Sequence, residues 1–147
     1  MSRVRVSDMH DVSQEYRDYS AYRYEKAQNN LRSAKILFEN DDYASANNRA
    51  YYAIFHAIRA VLALDQFDSK KHSGVISEFR LRYIKTGVFS KDLSDMVGSA
   101  FEIRNDSDYE DMFIASKAET EEQIRNAEDV LQKIGEYLKS ENVLPLS

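Results

Sequence analysis

Apolar positions recur along this chain with the period of an α-helix, in runs separated by short polar breaks. From about Ser13 to Glu39 the stripe is Tyr24, Ala27, Leu31, Ala34 and Phe38, in steps of three and four that mark an amphipathic helix. Asn40-Asp41-Asp42 ends it, and Asp42 is placed to cap the next. The second run, about Tyr43 to Leu64, carries Ala46, Ala50, Ala53, Ile54, Ala57, Val61 and Leu64. It is apolar on more than one side and rich in alanine, which predicts a central helix closely approached by its neighbours. Asp65 to Ser69 reads as a loop. A third helix is predicted over about Lys70 to Lys85 from Val75, Ile76, Phe79 and Tyr83, with Gly87 as its stop. Ser90 can cap a fourth, shorter helix with Leu93, Met96, Val97, Ala100 and Ile103 on its apolar side.

The polar run Asn105-Asp106-Ser107-Asp108 then interrupts the pattern. Two capping-box spacings follow, Ser107 with Glu110 and Ser116 with Glu119, so the closing helix is expected to start between about 108 and 117. It continues through Ala118, Ile124, Ala127, Leu131, Ile134 and Leu138. Residues 1–12 carry no sustained period and read as a loose arm. The expectation is one all-α domain over 13–141, an up-and-down bundle of four to five helices, with a tail over 142–147.

Composition supports that picture. Only 4 Gly and 1 Pro occur in 147 residues, too few for the many turns of a sandwich or barrel. The chain has no cysteine, which removes disulfides, thiolate metal sites and cysteine nucleophiles. No apolar run is long enough to cross a bilayer, and Met1 to Val6 lack the apolar core of a signal peptide, so a cytoplasmic protein is expected. The net charge of -5 argues against a general polycation. The charge is nevertheless uneven. Six Lys and Arg between Lys70 and Lys91 face Glu78 alone, and eight acids between Glu102 and Glu122 face Arg104 and Lys117. Such a dipole suits a charged partner or self-association, or two solvated helix faces.

Candidate chemistry is sparse. The three histidines, His10, His56 and His72, are far apart and show no zinc spacing, so no metal site is expected. His56 reads as a hydrogen-bonded core histidine, whereas His72, beside Lys70 and Lys71, either caps a helix or touches phosphate. Tyr51 and Tyr52 are core aromatics or stacking platforms for bases. Arg104 and Asp108 share a helix face if the fourth helix extends that far, which allows a plain ion pair. The functional alternative has Arg104 holding a phosphate through its planar fork, beside Asn105 and Tyr109.

Three stretches together resemble the HEPN superfamily, in its small, uncharacterised bacterial and archaeal branch. They are Ala50-Tyr51-Tyr52-Ala53-Ile54-Phe55-His56-Ala57, His72-Ser73-Gly74-Val75, and Arg104-Asn105-Asp106-Ser107-Asp108-Tyr109. With the helices around them, the resemblance covers about residues 20–140. It implies a bundle of four or five helices, commonly a homodimer that brings two copies of the last stretch to one cleft. It also implies metal-independent and cofactor-free endoribonuclease chemistry. An arginine steadies the phosphate there, a polar residue follows, and a histidine some residues later helps the RNA 2′-hydroxyl attack. Many such proteins are toxins encoded beside a nucleotidyltransferase antitoxin.

By resemblance Arg104 is the arginine, Asn105 the polar residue, and Tyr109 stands where the histidine belongs. Asp111 occupies the place of a tyrosine that antitoxins modify in related toxins. A phenol with pKa near 10 is a poor general base at neutral pH, though it donates hydrogen bonds and stacks. Arg104, Asn105 and Tyr109 are therefore the expected catalytic residues, with Asp108, His72 and Lys71 as substrate contacts. The expected ligands are RNA or a nucleotide. The competing expectation is a non-catalytic module that binds a nucleotide, a nucleic acid or a partner protein through the same cleft. A structural dimer whose polar stretch only caps helices and pairs charges is a third.

Overall fold

The computed structural model of the chain describes residues 14–109 and 114–146, with the side chains of 106–109 left aside. Five α-helices account for most of them: α1 (Gln14–Glu39), α2 (Tyr43–Ala63), α3 (His72–Phe79), α4 (Lys91–Tyr109) and α5 (Lys117–Ser140). No strand occurs among the described residues. The fold is an all-α bundle, as the periodicity predicts.

α1 and α2 form an antiparallel hairpin. The turn between them uses Asp41 at φ 62°, and the Asp42 carboxylate accepts the Ser45 backbone N–H at 3.2 Å, capping α2 as expected. Cross-links run in antiparallel register: Ser20 Oγ donates to the Ala60 carbonyl at 2.6 Å, and Arg49 Nη1 donates to Asn30 Oδ1 at 3.0 Å. α2 is buried on most of its circumference, with Ala46, Ala53, Ala57 and Ala60 fully enclosed. Their short side chains let α1 and α5 approach closely, which is what an alanine-rich central helix permits. α5 packs against both partners through Ile124, Val130, Leu131, Ile134 and Leu138. Ser116 opens it as N-cap, accepting the Glu119 N–H at 3.1 Å, so the second of the two capping spacings is the one used.

Two features differ from the sequence expectation. The third helix is not continuous: α3 begins at His72 and passes at Arg80–Ile84 into a single π-helical turn, closed by Lys85 N–H to the Arg80 carbonyl at 2.8 Å. Periodicity could not show this, because Phe79 and Tyr83 stand four apart in either geometry. The π turn carries Tyr83 into the core, with its hydroxyl 2.6 Å from Asp65 Oδ2. Next, α4 is not short, and the polar run does not break it; helix continues through Arg104, Asn105 and Asp106 to Tyr109. Polar side chains cost only tenths of a kcal/mol each in a helix, roughly 0.7 at most, and no Gly or Pro stands there to stop it. Ser107, being helical, is therefore not the cap of α5, and its expected partner Glu110 lies outside the described residues. Residues 1–13, holding the predicted arm and His10, also lie outside them. Past α5, the backbone reverses at Asn142 (φ 63°), and Val143 and Leu144 pack on the core.

No helix among the described residues is long and apolar enough to cross a membrane.

One close approach gives a test of the packing. The Tyr24 hydroxyl donates to the Leu131 carbonyl at 2.8 Å, over Gly135. A Cβ on Gly135 would overlap that hydroxyl oxygen and stand 3.1 Å from Tyr24 Cζ. Gly135→Ala should therefore destabilise by about 1–2 kcal/mol, despite the better helix propensity of alanine, because the tyrosine must give up its place and its hydrogen bond. In a Tyr24→Phe background the same change should cost less, since the overlapping oxygen is gone. Equal costs in both backgrounds, read by urea unfolding, would refute the close approach.

Candidate functional site

α2 presents Tyr51, Tyr52, Phe55 and His56 at the side where α3 begins and α4 crosses. Tyr51 is buried, 3% exposed, and its hydroxyl lies 2.6 Å from His72 Nδ1. The His72 ring stacks on Phe55 with centroids 4.1 Å apart and on Tyr51 at 5.7 Å. Tyr51 is therefore a core aromatic that also orients a histidine. Tyr52 is half-buried at the rim, edge-on to His72 at 5.9 Å.

Arg104 arrives from α4, half-buried. Its guanidinium lies 5.5 Å from the Tyr51 ring centre and 6.0 Å from that of Tyr52. Two turns of side chain on α2, the first residue of α3 and one turn of α4 thus meet around one tyrosine pair. These are the three stretches that carried the family resemblance. Among the predicted site residues, Arg104 and His72 are brought together through Tyr51. Asn105 follows Arg104, half-buried. Lys71 is exposed at the N-cap position of α3, where its side chain makes no capping hydrogen bond. The helical backbone carries Asp108 and Tyr109 in the last turn of α4, but their side chains lie outside the described residues, as does all of Asp111.

The sequence reading passed over the arginines of α1 and α2. Arg49, Tyr52, His56 and Arg59 stand three, four and three residues apart, all half-buried, and form one stripe on an otherwise apolar helix. That spacing was the available signal. Arg49 lies 5.4 Å over Tyr52 and Arg59 5.8 Å over Phe55. Arg23 reaches across from α1, its Nη1 3.3 Å from His56 Nδ1. A guanidinium can only donate, so His56 Nδ1 accepts and its proton sits on Nε2.

His56 is half-buried and hydrogen-bonded, near the core role expected of it. Burial, then the positive charges of Arg23, Arg59, Lys26 and Arg49, push its pKa from 6.5 down to about 4. The folded protein therefore takes up this proton at lower pH than the unfolded chain, and acidification favours unfolding. The stability tied to the neutral ring is complete above about pH 6.5 and drains away as pH falls toward 4. Urea unfolding at stepped pH should show the wild type losing stability over that window relative to His56→Gln. A difference that does not vary with pH would refute the assignment.

Among the described residues no three His, Asp or Glu side chains converge as a metal site. A groove of about 410 Å³ opens beside the tyrosine pair, lined by Phe55, Arg59, Asp68, Ser69, Lys70 and His72. Asp68 closes one wall through a two-point pair with Arg59 at 2.6 and 3.1 Å. Arg59 and the Ser69 N–H hold the Asp68 carboxyl below its usual range, against the opposing effect of burial.

The all-helical bundle thus sets an arginine of its fourth helix against a tyrosine pair and a histidine. A family model described as HEPN domain matches residues 20–137, and the chain belongs to the HEPN family. It is 32% identical to "Putative toxin MJ0142" of Methanocaldococcus jannaschii over 82% of each chain. It is also 37% identical to "Putative toxin MJ0605" of the same organism, over 78% of this chain and 85% of that one. A UPF0332 protein of Thermotoga maritima is 35% identical over 78% of this chain and 89% of its own.

Proposed function

We propose that this HEPN-family protein has a toxin-like role directed at RNA, working in the cytoplasm as a homodimer that cleaves RNA without a metal ion or cofactor. Two similar proteins bear names that call them toxins. The observation that carries the reading is the position of Arg104, a half-buried cation on a tyrosine pair whose other side holds a histidine.

In this reading Arg104 and the neighbouring Asn105 hold the scissile phosphate. The RNA 2′-hydroxyl attacks phosphorus, the O2′–P bond forms, and the P–O5′ bond breaks. The products are a 2′,3′-cyclic phosphate end and a 5′-hydroxyl end, with the 2′-hydroxyl proton taken by a protein base and the leaving oxygen protonated by water. With Tyr109 at the motif's histidine position, the imidazole fixed by Tyr51 gives this chain another group for proton transfer, and imidazole is the side chain ordinarily suited to that work at neutral pH. Lys71, Asp108 and His72 contact the substrate. A nucleotidyltransferase antitoxin is the partner that the toxin reading calls for.

The second reading is a HEPN module that binds RNA or a nucleotide without cleaving it. The tyrosine in place of the motif histidine favours it. Incubating mixed cellular RNA with purified protein in EDTA separates the two. Cyclic-phosphate ends that vanish in Arg104→Ala establish the nuclease. Intact RNA in both samples, with RNA bound, establishes the module.

A further inference from the structure

We infer that the face of the α1–α2 hairpin formed by Arg23, Arg49, Tyr52, His56 and Arg59 is a track for single-stranded RNA, with phosphates on the arginines and one base stacked on Tyr52. This inference rests on the RNA-directed reading and extends its site from the Tyr52 rim beside Arg104 along the α1–α2 hairpin, to arginines that reading does not use.

The charge is the first argument. Arg23 is held by the Tyr19 hydroxyl, at 3.0 Å from Nε, and by His56. Arg49 is held by the side-chain carbonyls of Asn30 at 3.0 Å and Asn48 at 2.7 Å. These partners are neutral, so they fix the guanidiniums in place without cancelling their charge. Of the three arginines, Arg59 alone pairs with a carboxylate among the described residues, that of Asp68. A chain of net charge -5 has thus gathered three guanidiniums on one face against a single carboxylate, that of Asp68, which pairs with Arg59 and also acts on Arg23. Burial first, and then the positive charges of Arg23, Arg59, Lys26 and Arg49, hold the His56 pKa down, in keeping with cations gathered on this face. An anion on this face would relieve that repulsion.

Aromatic surface is the second argument. Tyr52 is half-buried at the rim, flanked by Arg49 at 5.4 Å and by Arg104 at 6.0 Å. Cations interleaved with an accessible ring are the pattern of sequence-tolerant single-strand binding, where the groove follows the backbone and the ring takes a base. Pre-positioned guanidiniums lose little freedom on meeting a phosphate.

Continuity is the third. Arg49 to Arg59 spans ten residues of helix, roughly 15 Å at 1.5 Å per residue, enough for several nucleotides of a strand. Tyr52 touches both Arg49 and Arg104, so a strand lying on the stripe leads directly to the Arg104 site. A duplex would not serve, because its bases are stacked inside and cannot reach Tyr52.

The test uses the full-length protein and a fluorescein-labelled 12-mer of 2′-O-methyl RNA, which lacks the attacking hydroxyl and is not cleaved. Binding is followed by anisotropy across a salt series, with circular dichroism to confirm the fold of each variant. The double variant Arg23→Gln/Arg49→Gln should bind on the order of tenfold more weakly. Its salt slope should fall by about 1.4, at about 0.7 per lost phosphate contact on a single strand. Tyr52→Ala should weaken binding roughly fivefold or more, as loss of one stacked base does. Lys133→Gln, on α5, should bind as wild type. In the NMR titration of His56, bound oligonucleotide should raise its pKa from about 4.

Wild-type binding that neither the arginine pair nor Tyr52 affects would place RNA elsewhere and overturn the track while leaving the RNA-directed reading standing. No binding by wild-type protein at low salt would overturn both. Arginine variants that alter self-association in sedimentation but not RNA affinity would assign the face to a second copy and overturn the track.

Discussion

Arg104→Ala should reduce RNA cleavage by a factor on the order of 10² to 10³, the usual cost of removing one preorganised group that stabilises transition-state charge. Arg104→Lys should fall between, since lysine keeps the charge and loses the planar fork that fits two phosphate oxygens. The fold should survive both changes. Arg104 is half-buried, its contacts to Tyr51 and Tyr52 are each worth about 0.5–1 kcal/mol by the usual magnitude for such pairs, and the urea midpoint of each variant checks that the fold is kept. Cleavage is measured with EDTA present, as single-turnover rates on a labelled oligoribonucleotide. A full wild-type rate in Arg104→Ala would remove this arginine from the site, and with it the reason to treat the tyrosine pair as its floor.

Phe79→Ala should have the largest effect on stability, a loss of about 3–5 kcal/mol. Phe79 is fully buried and stacks on Tyr83 at 5.8 Å and on Phe89 at 5.7 Å. It sits where α3 passes into the π turn, so its ring helps fasten that segment to the bundle. Against a typical domain stability of about 5–15 kcal/mol this is a large share. With a urea m-value of roughly 1–3 kcal/mol per molar, the midpoint should drop by about 2 M. The site should feel the change as well, because α3 carries His72 to Tyr51. A loss under about 1 kcal/mol would mean that the cavity collapses freely and that α3 is not held by this aromatic stack.

Much of the bundle was readable along the chain, for a physical reason that applies residue by residue. Burial of a stripe at Tyr24, Ala27 and Ala34, or at Ile124, Ala127, Leu131, Ile134 and Leu138, demands apolar side chains at helical spacing, and that demand is written locally. The caps at Asp42 and Ser116 were equally local, each a side chain meeting a backbone N–H three residues ahead. The family could be recognised from three short stretches, and the fold shows why they travel together: Tyr51, His72 and Arg104 meet at one place.

Tertiary structure decided what local pattern leaves open. The polar run after Ile103 carries no apolar stripe, so periodicity is silent there, yet the helix anchored by Val97 and Ala100 continues through it to Tyr109. The π turn at Arg80–Ile84 shares its four-residue spacing of buried aromatics with an α-helix and shows only once Tyr83 has found Asp65. Above all, Arg23 and His56 lie 33 residues apart, and Arg104 reaches Tyr52 from a different helix. Each arginine in isolation looks like ordinary surface charge. Only the packing of α1 and α4 against α2 gathers them on the aromatic rim, because long-range proximity follows from how helices dock and not from the order of residues along any one of them.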